Sequence, residues 1–124
     1  MLGHLSFGVS DLARSGAFYD AVLAPFGWVR IWNSPKGLGY GRPGEGEKIN
    51  LFPRAQARAP GPGFHLALDA PDHAAVDAFH AAGLAAGGTD NGAPGLRPHY
   101  GATYYAAFLI DPDGYRLEAV NQSA

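Results

Sequence analysis

The chain has 124 residues, 47% of them hydrophobic and 16% charged, with a formal charge of -2 and no cysteine; that length suffices for one domain with a core of its own. The missing cysteine excludes disulfides, thiolate metal sites and a cysteine nucleophile, and the near-neutral charge offers no basic surface to nucleic acid or an anionic membrane. No apolar run approaches transmembrane length and Met1-Leu2-Gly3-His4 does not read as a leader, so the expectation is a cytoplasmic protein whose partner is a small molecule.

Leu2 to Val9 alternates, with Leu5, Phe7 and Val9 on one face and His4, Ser6 and Gly8 on the other, as a half-buried strand does. Ser10-Asp11 supplies an N-cap, and Leu12, Phe18, Tyr19, Val22 and Leu23 recur at helical spacing until Pro25 and Gly27 end the helix. Trp28 to Asn33, Leu38 to Gly41 and Lys48 to Phe52 read as short strands divided by Pro35-Lys36-Gly37 and Pro43-Gly44-Glu45-Gly46. The run Gly39-Tyr40-Gly41-Arg42-Pro43-Gly44 spells a dinucleotide fingerprint, but a strand follows it where that motif needs a helix, so it reads as a hairpin loop. Residues 54–63, rich in Ala, Pro and Gly, read as a linker.

Phe64 to Asp69 then repeats the opening alternation, with His65 on the non-aliphatic face. Pro71-Asp72 opens a second helix that carries Val76, Phe79 and Leu84 inward, leaving His73 and His80 at the surface or the helix ends. Asn91 to Ala102 holds Pro94, Gly95, Pro98 and Gly101 with Arg97, His99 and Tyr100, and reads as a loop long enough to suspect function. Asp111-Pro112-Asp113-Gly114 turns the chain between a strand over Tyr104 to Ile110 and another over Tyr115 to Val120. Glu118 falls mid-strand, opposite Leu117 and Ala119. A carboxylate there must be solvated, paired with Arg116 or a histidine, or bound to a metal, because an isolated buried charge is costly.

The order of elements occurs twice. A shift of 61 positions carries His4 onto His65, Leu5 onto Leu66, Asp11 onto Asp72, Phe18 onto Phe79 and Gly27 onto Gly88; a further insertion of seven carries Asn50 onto Glu118. The chain thus reads as α+β: two tandem βαβββ modules, about 1–53 and 64–124 around the linker, within a single domain. If the modules pack about a pseudo-twofold axis, His4, His65, Glu118 and Asn50 line one cavity. Two imidazoles and a carboxylate form a divalent-metal ligand set, either zinc-like with an open position or the facial triad of non-haem Fe(II) enzymes.

His4-Leu5-Ser6-Phe7-Gly8-Val9-Ser10-Asp11-Leu12 with Phe18-Tyr19, then Phe64-His65-Leu66-Ala67-Leu68, then Asp111-Pro112-Asp113-Gly114-Tyr115-Arg116-Leu117-Glu118 resemble the vicinal oxygen chelate superfamily. That group includes glyoxalase I, fosfomycin-resistance thiol transferases, extradiol dioxygenases and bleomycin-binding proteins. The resemblance implies a cupped mixed sheet, a homodimer with modules apposed or exchanged between chains, and one divalent ion (Zn, Ni, Mn or Fe(II)) held by His4, His65 and Glu118. It implies a metal-dependent lyase, isomerase or thiol transferase acting on a small oxygen-bearing substrate; a bleomycin-type binding protein or an extradiol-type dioxygenase are the alternatives. Asn50 stands where glyoxalase I has a glutamate and Gly8 where glutathione users have an arginine, which argues against glyoxalase turnover. Ser6 matches a hydroxyl of the thiol transferases, whereas Phe108 replaces their tyrosine. Asn50, His99 and Tyr104 are the candidates for catalysis, and Ser6, Arg97, Tyr100 and Phe108 for substrate contact.

Overall fold

Asp11 and Asp72 each turn a carboxylate back onto the helix they precede, accepting from Arg14 N at 3.0 Å and Ala75 N at 2.7 Å, which satisfies a backbone donor that the first turn leaves open. Those caps open α1 (Leu12–Leu23) and α2 (His73–Ala85). The computed structural model describes residues 1–123 and sets each helix between strands: β1 (Leu5–Val9) before α1, then β2 (Val29–Ser34), β3 (Gly37–Gly41) and β4 (Ile49–Pro53); β5 (Leu66–Asp69) before α2, then β6 (Thr89–Leu96), β7 (Tyr105–Ile110) and β8 (Arg116–Asn121).

The strands form two four-stranded mixed sheets, ordered β1-β4-β3-β2 and β5-β8-β7-β6. In each, the first strand runs parallel to the last, the connection a helical crossover allows, and the rest are antiparallel. The α+β tandem βαβββ reading is borne out. The register repeats as well: Ser6 pairs Asn50 in one sheet and Ala67 pairs Glu118 in the other.

Leu51, Leu109, Leu117 and Ala119 pack under the helices in one shared core with Phe18, Val22, Val76 and Phe79. Phe26 stacks on Phe79 across the two halves at 5.9 Å. The Asp111 to Tyr115 turn clasps the halves from the other end. Asp111 accepts from Tyr19 Oη at 2.6 Å and from the Asp113 and Tyr115 amides at 2.9 Å, while Tyr115 Oη donates to Gly8 O at 2.7 Å. Asp113 is bonded by the Ser10 amide and hydroxyl and by Arg14. Burial pushes the Asp111 carboxyl upward, opposed by the Tyr19 hydroxyl and the Tyr115 and Asp113 amides.

Three expectations need correction. Residues 91–96, the first half of the stretch read as a loop, belong to the edge strand β6; its bulges at Asp90–Gly92 and Gly92–Gly95 absorb Gly and Pro94, which an edge tolerates. Leu84 is 44% exposed, since the buried stripe of α2 runs through Val76, Phe79, His80 and Gly83. His80 is buried rather than at the surface, and its Nε2 lies 2.8 Å from Asp90 Oδ1, tying α2 to β6.

Candidate functional site

On β8 the helix-facing Leu117 and Ala119 flank Glu118, whose side chain therefore projects from the opposite face of the sheet. It is 2% exposed yet fully partnered. His65, immediately before β5, brings Nε2 to 3.0 Å from Oε1, and Tyr104, immediately before β7, donates its hydroxyl to Oε2. Burial first, and then the bond to Glu118, push the Tyr104 phenol up to about 12. It therefore stays protonated through the neutral range and acts as a donor. An Nε2–H donating to the carboxylate leaves His65 Nδ1 as the lone-pair nitrogen. The result is a carboxylate–imidazole pair steadied by a phenol, able to orient a proton acceptor.

Around it, Phe64, His65, Asn91, Tyr100, Phe108 and Arg116 line a pocket of about 250 Å³. Phe108 stands directly opposite Glu118 across the β7–β8 ladder. Tyr100 packs edge-on against Tyr104 at 5.2 Å, and His99 lies against Tyr100 at 4.1 Å. Arg97 spans the carbonyls of Gly95 and Ala93 at 2.8 Å each and covers the Phe108 ring at 5.3 Å. It is thus a brace for the aromatic wall.

The corresponding face of the first sheet is filled. Asn50, 5% exposed, accepts from Trp32 Nε1 at 3.0 Å and reaches Ser6 Oγ at 3.5 Å. Gly39 occupies the position opposite Asn50 that Phe108 occupies opposite Glu118, and the Trp32 indole lies where a side chain on Gly39 would be. His4 is exposed and lines a separate cleft of about 370 Å³ with Arg42, Lys48 and Asp69.

Of the three expected metal donors, the structure therefore brings together His65 and Glu118, without His4. Among the described residues no group of three or more His, Cys, Asp or Glu side chains is placed to hold an ion. Within one chain the donor set does not fit a resident metal. Sequence reasoning passed over Phe64, Asn91 and Arg116 as pocket residues. Arg116 was recoverable from strand alternation, being two positions from Glu118; Phe64 was not, because alternation sets it on the face opposite its neighbour His65.

A tandem βαβββ scaffold with a metal-type donor pair on its non-helical face defines a glyoxalase-like class of protein. The family model for the Glyoxalase/Bleomycin resistance protein/Dioxygenase superfamily matches residues 1–119, and the chain belongs to that superfamily. It is similar over 99% of both chains, at 34% identity and a TM-score of 0.84, to a glyoxalase/bleomycin resistance protein from Albidiferax ferrireducens T118. It is 26% identical over 97% of both chains, TM-score 0.73, to a family enzyme from Burkholderia phytofirmans PsJN. A V278E mutant of glyoxalase I from Zea mays shares the fold at a TM-score of 0.72 and 23% identity, covering 96% of this chain and 45% of that one. No curated protein matches the chain. Among the described residues no helix is long and apolar enough to cross a membrane.

Proposed function

We propose that this chain is a cytoplasmic, metal-dependent enzyme of the glyoxalase-like type, acting on a small oxygen-bearing substrate, whose centre is complete only in a homodimer. One observation carries the reading: a buried carboxylate, Glu118, bonded to His65 at 3.0 Å and to Tyr104 on the open face of the second sheet. A single chain supplies two donors; His4, exposed on the other half, is free to serve as the third for a second copy. A divalent ion bound there would supply Lewis acidity toward substrate oxygen. The chain's own residues do the remaining work. His65 and Glu118, held 3.0 Å apart, would turn their remaining lone pairs to the ion; Tyr104 keeps the carboxylate in place; Phe64, Tyr100 and Phe108 line the approach.

Metal analysis and light scattering of purified protein test this. The expected outcome is a dimer carrying near-stoichiometric metal that is lost in His4→Ala, His65→Ala and Glu118→Gln and kept in Asn50→Ala. Monomers without metal refute it. Hemithioacetal turnover would identify the lyase reading, and oxygen uptake with a catechol under Fe(II) the dioxygenase one.

The filled first sheet favours a second reading, a non-catalytic binding protein of the bleomycin-resistance type. There Trp32 occupies the cavity face and Asn50 is committed to structural hydrogen bonds, so that half offers no acid or base. Small-molecule binding by metal-free protein would support it.

A further inference from the structure

The pocket beside Glu118 divides its polar groups into two kinds. His65 Nε2, in the lining, is committed to Glu118 behind it, as Tyr104 is, and Arg97 beyond Phe108 is committed to backbone carbonyls. The Arg116 guanidinium, the Asn91 amide and the Tyr100 hydroxyl have no hydrogen-bond or ion-pair partner among the described residues, and all three residues line the pocket. An unpaired, exposed guanidinium at the edge of a pocket of mixed polar and aromatic lining is a fork for a planar anion, since its parallel N–H groups match a carboxylate.

The walls specify the remainder of the ligand. Phe64, Tyr100 and Phe108 present rings, and each is braced: Phe64 edge-on to Tyr115 at 6.2 Å, Tyr100 edge-on to Tyr104, Phe108 under Arg97. Rings held in this way bind another ring by offset or edge contacts without first being ordered. The volume of about 250 Å³ falls below the range of drug-sized ligands, about 300–1,000 Å³, and suits one ring with a short acidic arm. Arg116 and Glu118 lie two residues apart on one strand face, about 6.6 Å along the chain. A ligand anchored at Arg116 therefore extends its far end toward His65 and Glu118.

We infer that this site takes a small aromatic monocarboxylate, its ring held among Phe64, Tyr100 and Phe108 and its carboxylate gripped by Arg116. This rests on the reading of the His65–Glu118 face as the ligand site and names the substrate class for it.

Calorimetric titration of the full chain tests it with phenylpyruvate, cyclohexylacetate and benzyl alcohol as probes. Phenylpyruvate is expected to bind at least tenfold more tightly than either other probe. Arg116→Gln weakens phenylpyruvate at least tenfold and leaves benzyl alcohol unchanged, and Lys36→Gln, which removes an exposed cation in the β2–β3 turn of the first sheet, changes neither. Should Arg116→Gln lose its fold, Tyr100→Ala, at a 62% exposed position, serves in its place. It is expected to erase most of the preference for phenylpyruvate over cyclohexylacetate. Equal affinity for acid and alcohol, or an unaffected Arg116→Gln, overturns the inference. Metal content of the same samples reads the centre separately. Metal-loaded protein that binds no aromatic acid refutes the inference and leaves the enzyme reading standing; tight binding by metal-free protein upholds the inference and removes the metal.

Discussion

Tyr104→Phe removes one oxygen and leaves the ring against Tyr100 in place. It strips Oε2 of Glu118 of its donor, on a side chain 3% exposed, so water does not readily replace the lost bond. Leaving a buried acceptor unpaired costs about 1–3 kcal/mol, with charged groups toward the upper end. For a chain of this size each kcal/mol moves the melting temperature by about 3–5 °C, so a fall of about 3–15 °C is expected by calorimetry. In a Glu118→Gln background the same substitution removes a neutral bond and should cost less, giving a coupling of about 1 kcal/mol in the double-mutant cycle. The pH dependence has a definite sign. The folded Tyr104 phenol titrates near 12 against an unfolded value of 10.0, so its contribution is fully present below pH 10 and lost as pH rises toward 12. The stability gap between wild type and Tyr104→Phe should close over that window. Additive single-mutant effects, or a gap unchanged by alkali, would refute the picture of a phenol donating to a buried carboxylate.

Asp111→Ala should be among the most destabilising single changes, by about 3–4 kcal/mol in urea denaturation, because it strands the Tyr19 hydroxyl and two turn amides together. Gly39→Ala should displace the Trp32 indole from Asn50 and expose it, read as a red shift of tryptophan emission with loss of stability. Tyr19 and Tyr40 should resist ionisation in ultraviolet alkaline titration until the fold opens. Burial is the leading cause in both, followed by Asp111 beside Tyr19 and Asp20 beside Tyr40. Early titration of either would place its ring in solvent.

Local requirements were legible in the sequence. The Asp111 to Gly114 turn follows from Pro and Gly at fixed corners, both helices from their Asp caps, and the burial side of Glu118 from strand alternation. What depended on a partner distant in the chain was not. Trp32 reaches Asn50, 18 residues on, because Gly39 has no side chain. His80 is buried because Asp90 meets it from the neighbouring strand. The repeat equates His4 with His65, but equivalence under a symmetry operation does not imply contact. His65 meets Glu118 inside its own module, while His4 opens onto a separate cleft.

The two halves therefore differ in what one strand position allows. Opposite Glu118, Phe108 stands as a wall and leaves room beside it; opposite Asn50, Gly39 admits the Trp32 indole and the room is gone. A carboxylate under that indole would accept from Nε1 as Asn50 does, yet would carry a charge with only Ser6 Oγ besides. The neutral amide is what the filled face tolerates, and the carboxylate is what His65 and Tyr104 together support. Asn50→Asp tests this directly. In the first module it should lower stability by about 1–3 kcal/mol at neutral pH, and by less on acidification as the introduced carboxyl takes up a proton. An Asn50→Asp variant as stable as the wild type at neutral pH would mean that the first face has a cation or solvent in reach, and that the asymmetry between the halves does not arise from the Trp32–Gly39 contact.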